Sequence, residues 1–194
     1  MIDKPAQIRC LTSPIRQEIV DAIAASGAMS IADLARHLGR AADGLYFHVR
    51  ALLRVGLLVE QSSIRRGKRF AAVYDVPARP LVIQQFPAQA RSIGRVVASA
   101  LRLAGRDANR ALKDRSTSTK GPARTLSAGR VKGWLTETER KRLNVVLDEL
   151  LSILRSAQPG PQRTLHAFTY VSAPAQISRR ARTLTKENNE TKKR

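Results

Sequence analysis

A single cysteine, Cys10, occurs in the 194 residues, so no disulfide can close within one chain and a zinc site built on paired thiolates is excluded. Cys10 reads as a small buried hydrophobe. Aromatic residues are also scarce, at 4% against 43% for all hydrophobic types, so the core must rest on Leu, Val, Ile and Ala, as in small helical domains. No run of about 18 apolar residues is present, which excludes a transmembrane helix and a membrane partner of that kind. The N-terminus has neither the basic flank nor the apolar stretch of a secretory signal, and a cytoplasmic, nucleoid-associated protein is expected. Acidic residues are the last shortage: 15 stand against 35 Lys and Arg, for a formal net charge of +20. That excess is well beyond what solubility requires, and a polyanion is the partner it suits.

The charge is unevenly spread. Residues 1–80 carry 12 basic and 7 acidic side chains, residues 81–135 carry 11 and 2, residues 136–158 carry 4 of each, and residues 159–194 carry 8 and 2. Backbone attraction to a nucleic acid is thus distributed over the whole chain. No GxxxxGK, GxSxG or HExxH motif occurs, and neither catalysis nor a cofactor is expected.

Local signals delimit the elements. Ser13 and Pro14 open a helix whose Ile15, Ile19, Ala22 and Ile23 recur at helical spacing up to Gly27, and a shorter amphipathic segment around Ile8 and Leu11 precedes it. Ser30 caps a second clear helix, with Asp33 in the capping-box position, Leu34 and Leu38 on its inner face and Gly39 at its end. A third runs from about Ala42 to Val55 and stops at Gly56. The hydrophobic period then changes from 3.6 to 2. Leu57–Ser63 and Arg69–Val76 read as two strands of a hairpin, joined by residues 64–68 with Gly67 at the reversal. Three helices with a short turn between the last two, followed by a basic hairpin, make a winged helix-turn-helix.

On the third helix, a rotation of about 100° per residue places Leu45, Val49, Leu52 and Gly56 on one face. Asp43, Phe47, Arg50 and Arg54 fall opposite, with Tyr46 on the flank. Ala42 opens the same helix. An ordinary solvated face would not favour the Tyr46–Phe47 pair, whose rings suit thymine methyl groups and sugars. Arg50 has the reach for guanine O6 and N7 or for a phosphate, and Arg54, further from the N-terminal end, suits a phosphate. Arg40 precedes the helix, and Ser30 with the amides of the second helix offers donors to a phosphate. Arg65, Arg66, Lys68 and Arg69 put four cations around the wing, for backbone contact or minor-groove insertion.

The segments Leu11–Arg16, Ile31–Ala35 and Leu45–Leu52, with Gly56, Leu57 and Leu58 after them, resemble the ArsR-type winged helix over roughly the first 80 residues. The resemblance implies a transcription regulator, usually dimeric, that reads an operator in double-stranded DNA with the third helix and touches flanking phosphates with its wing. The sequence departs from the metal-sensing members, which use cysteine-rich or His and Asp clusters. It has one cysteine and three scattered histidines, His37, His48 and His166, so no metal is expected. His48 matches a position where the family commonly has His, with a structural or phosphate-facing role.

The second half is less informative. Residues 88–114 read as an amphipathic helix with Ile93, Val97, Ala100, Ala104, Ala108 and Ala111 on one side. Arg91, Arg95, Arg102, Arg106 and Lys113 lie on the other, toward DNA or solvent. Residues 115–133 have the composition of a loop or linker. Thr136 and Glu139 open another helix, whose Leu143, Leu147, Leu150 and Leu154 form a stripe suited to a partner helix. Residues 164–172 are strand-like, and 175–194 are expected to be a disordered basic tail. The expected class is mainly α with a small β component. A winged domain over residues 1–80 is followed by a helical region, 81–174, for dimerisation and for an unidentified small-molecule effector. The alternatives are an RNA-binding or ribosome-associated winged-helix adaptor and a protein-interaction module whose basic tail aids retention on nucleic acid.

Overall fold

Pro14 at the first helical position, Ser30 as an N-cap and Gly39 as a left-handed stop set the chain's opening turns. The computed structural model, which describes residues 2, 4–66, 69–79 and 87–175, places helices where these signals fall. A short helix α1 (Pro5–Cys10) leads into α2 (Pro14–Ser26), a two-residue strand β1 (Met29–Ser30), α3 (Ile31–Leu38) and α4 (Ala42–Arg54). Strands β2 (Val59–Arg66) and β3 (Arg69–Asp75) follow, then a 3-10 turn (Pro87–Gln89), α5 (Ala90–Lys113) and α6 (Glu137–Ser156). Ser30 caps α3 by accepting from the Asp33 amide at 3.2 Å, while Asp33 Oδ2 accepts from the Ser30 amide at 3.2 Å. Gly39, at φ 62°, ends α3 in the left-handed region that a side chain disfavours.

One face of each of α1, α2, α3 and α4 converges on a single core that contains Ile8, Ile19, Ile23, Leu34, Leu45, Val49 and Leu52. Leu57 and Leu58 close it from below α4. The Leu57 amide still donates to Leu52 O at 2.9 Å, so these two residues serve the core and the strand begins two residues later than its periodicity suggests. Leu52 is fully enclosed. Its replacement by Ala should lower unfolding stability by about 2–5 kcal/mol, because the packed helices cannot collapse onto the void. A denaturant titration measures this directly.

The sheet has the order β1-β3-β2 and is antiparallel throughout. The β2–β3 register runs from Val59↔Asp75 to Arg66↔Arg69, with an irregularity between Glu60 and Ser62. The hairpin ladder therefore extends through residues 64–66, which the sequence reading assigned to the loop. Gly67 and Lys68 lie outside the described residues. Strand β1 was not anticipated, since two residues carry no readable alternation; Met29 pairs with Tyr74 and Ser30 with Val73.

Helix α5 does not stand apart from the winged domain. Val96 enters the core, Ile93 packs against it, and buried Gln17 donates to Leu11 O at 2.7 Å and Val96 O at 3.0 Å. The enclosed positions are Val96 and Ser99, adjacent to the expected Val97 and Ala100 of the alanine-rich stripe. The helix lies across both α1 and α2, and that crossing selects which residues are covered. Helix α6 has the Thr136–Glu139 capping box and no buried residue. Leu147 and Leu150 are half-buried, and Leu143 and Leu154 are exposed. Residues 164–172 form no strand; strand-like composition without a neighbouring edge leaves their backbone groups to water. Residues 115–133 contain only turns, one closed by the Thr125 amide donating to Ser118 O at 2.8 Å. The expected tail from residue 176 onward lies outside the described residues. No described helix is long and apolar enough to cross a membrane.

Candidate nucleic-acid interface

The pair α3 and α4, joined by residues 39–41, presents α4 with its two faces separated. Leu45, Val49 and Leu52 are buried. On the other side Tyr46 and Phe47 are 53% and 68% exposed, and Asp43, Arg50 and Arg54 are exposed with them, while Ala42 is half-buried. The core thus fixes the helix and leaves a polar-aromatic surface outside.

The Phe47 ring is held in place despite its exposure. It meets His48 edge-on at 5.5 Å between centroids, and the Arg16 guanidinium lies 6.0 Å from its centre, a cation–π contact. Arg16 also donates to Cys10 O at 3.4 Å. Burial, then the charges of Arg16 and Arg40, pushes the His48 imidazole below its ordinary range, so it is neutral at pH 7. Burial likewise pushes the Cys10 thiol up, and its Sγ lies 3.7 Å from Ala51 O. This is the small hydrophobe that its context suggested.

Other expected contacts are placed differently. Ser30 is only 1% exposed, and its hydroxyl is engaged with Asp33 at 2.5 Å as well as with the Asp33 amide. The cap engages the Ser30 hydroxyl and the Asp33 amide, two of the groups expected to reach a phosphate. Arg40 is ion-paired to Glu18 at 2.9 Å and keeps part of its guanidinium in solvent. The same carboxylate, 9% exposed, pairs through its other oxygen with Arg106 of α5. Arg106 therefore belongs to an internal junction, which also includes Asp107, instead of a free cationic stripe. Backbone register sets Arg65 opposite Phe70 and Arg66 opposite Arg69; Lys68 lies outside the described residues.

Three residues absent from the sequence reading matter here. Glu18 joins α5 to the α3–α4 turn. Tyr74, half-buried on β3, lies within electrostatic reach of Glu60, Tyr46 and Arg50, and desolvation followed by the first two raises its hydroxyl's pKa. Tyr74 also packs against the edge of the hydrophobic core. Phe70 is 73% exposed on the same strand.

Near the Glu18 junction, Asp21 reaches solvent, yet desolvation by the packed helices, then Glu18 and Asp107, pushes its carboxyl up to about 6. The folded state then binds the proton more tightly than the unfolded chain does. Asp21 thus favours folding fully below the ordinary carboxylate range of about 4, and that contribution is lost as pH rises through about 6. Asp21→Asn should match the wild type near pH 4 and exceed its urea midpoint above pH 7, a comparison that two titrations settle.

The order α2, α3, turn, α4 and hairpin, with one face of α4 buried and the other open, is that of a known domain type. Residues 11–61 match the family model of a helix-turn-helix domain. The chain therefore carries a helix-turn-helix domain, running from the end of α1 into β2 and including the α4 surface described above. A comparison with curated proteins finds no match. Among the described residues, no three His, Cys, Asp or Glu side chains stand together as a metal site.

Proposed function

We propose that this chain is a sequence-specific, double-stranded-DNA-binding transcription regulator of the ArsR type, a homodimer without catalytic chemistry that reads its operator with α4. The observation that carries the reading is the open face of α4. Asp43, Tyr46, Phe47, Arg50 and Arg54 are exposed along a helix anchored by three buried residues on its other side. A major groove admits such a helix, and arginine and aromatic side chains are suited to base edges, thymine methyl groups and sugars. The hairpin cations and the basic residues beyond the domain supply salt-dependent attraction to phosphate. Dimerisation is assigned to the apolar side of α6.

The test is competition at fixed salt between duplex DNA carrying the protein's own promoter, unrelated duplex and structured RNA. Preferential retention of the promoter duplex supports the reading. Equal retention of all three, or preference for RNA, rejects it in favour of an RNA-binding adaptor.

A further inference from the structure

Among the described side chains of the hairpin, Phe70 is the most exposed large apolar one. Phe70 lies near the hairpin tip and is 73% exposed. Alternation along β3 separates Phe70, Ala72 and Tyr74 from Val73 and Asp75. Val73 and Asp75 are buried, and Tyr74 on the alternate face packs against the edge of the core. That alternate face runs from Tyr74, which the core covers in part, through half-buried Ala72 to Phe70, exposed near the tip.

Charge identifies what this ring meets. In sequence Arg65, Arg66, Lys68 and Arg69 all fall within the five residues before Phe70, and the backbone register pairs Arg65 with it. A protein partner of that tip would have to be acidic. Duplex DNA supplies the phosphates at the required density, with stacked base pairs between them whose apolar faces a wedge can enter. Apolar side chains flanked by cations enter minor grooves by wedging against a base step, which unstacks it and bends the duplex.

We infer that Phe70 is an apolar wedge that the wing inserts into the minor groove beside the α4 contact, so that the protein bends its site and discriminates between sequences by their deformability. This rests on the DNA-binding reading above. Flexible pyrimidine–purine steps are favoured under the wing, and stiff A-tracts are disfavoured there.

The experiment uses the full chain and a duplex selected by it from a random pool. Affinity is measured over a salt series, and the bend is read from energy transfer between dyes at the two DNA ends. Phe70→Ala should weaken binding by about tenfold at every salt concentration, with the salt slope unchanged because no charge is lost, and should reduce the bend. Phe70→Leu should keep most of both and serves as the readout if the Ala variant melts early. Unchanged affinity and bend in Phe70→Ala would overturn the inference while leaving DNA binding intact. So would a loss of self-association in sedimentation, which would place Phe70 in a protein interface. A wild type that selects no duplex at all would overturn both readings.

Discussion

Arg50→Glu is expected to abolish operator recognition, raising Kd by at least about 100-fold, while the thermal melt stays at its wild-type position. Loss of one bidentate guanine contact costs about 1–3 kcal/mol, and a carboxylate in the same place adds repulsion from the phosphates. The fold is insensitive because Arg50 is exposed on the side of α4 opposite Leu45, Val49 and Leu52. Anisotropy titration of a selected duplex, with a melt of the same sample, separates the two effects. A variant that binds the operator normally would remove α4's outer face from the interface and with it the proposed mechanism.

The second large effect is expected from Leu147→Glu combined with Leu150→Glu. Helix α6 has 20 residues and none of them is buried, and Val145, Val146 and Ile153 are exposed beside the leucine stripe. An isolated helix of this length is marginal in water, so its stability calls for cover on the apolar side. In the proposed dimer a second copy of the chain supplies that cover and a second α4, as a two-half-site operator requires. Charging the stripe should convert a dimer into a monomer in sedimentation at micromolar concentration. It should also weaken operator binding by about 100-fold or more, through loss of the linked second half-site. Weak, salt-dependent binding should remain, because α4 and the wing are untouched. A double variant that stays dimeric with full affinity would assign self-association to another surface, for which the exposed Leu101 and Leu112 of α5 are the next candidates.

The two capping boxes, Ser30–Asp33 and Thr136–Glu139, show why the helices were legible. Each is a contact between residues three apart, and the sequence states it completely. The separation of α4 into a buried and an open face was legible for the same reason, since helical geometry alone assigns Leu45, Val49 and Leu52 to one side. What each surface residue then does depends on neighbours distant in the chain. Ser30 was expected at a phosphate, but pairing of β1 with β3 and its own cap enclose it. Arg40 and Arg106 look alike as free cations, yet Glu18, which is 22 residues from one and 88 from the other, accepts from both.

The helix-turn-helix, the open face of α4 and the hairpin could be read from the chain alone, because period, caps and turn residues are local and each element reports its own geometry. Packing between distant segments brings α5 onto the N-terminal core and pairs β1 with β3. The same packing leaves α6 without a buried residue among the described residues. Those outcomes depend on which faces meet after the chain has folded back on itself, and alanine stripes, two-residue strands and single acidic residues carry no local mark of the partner they will find.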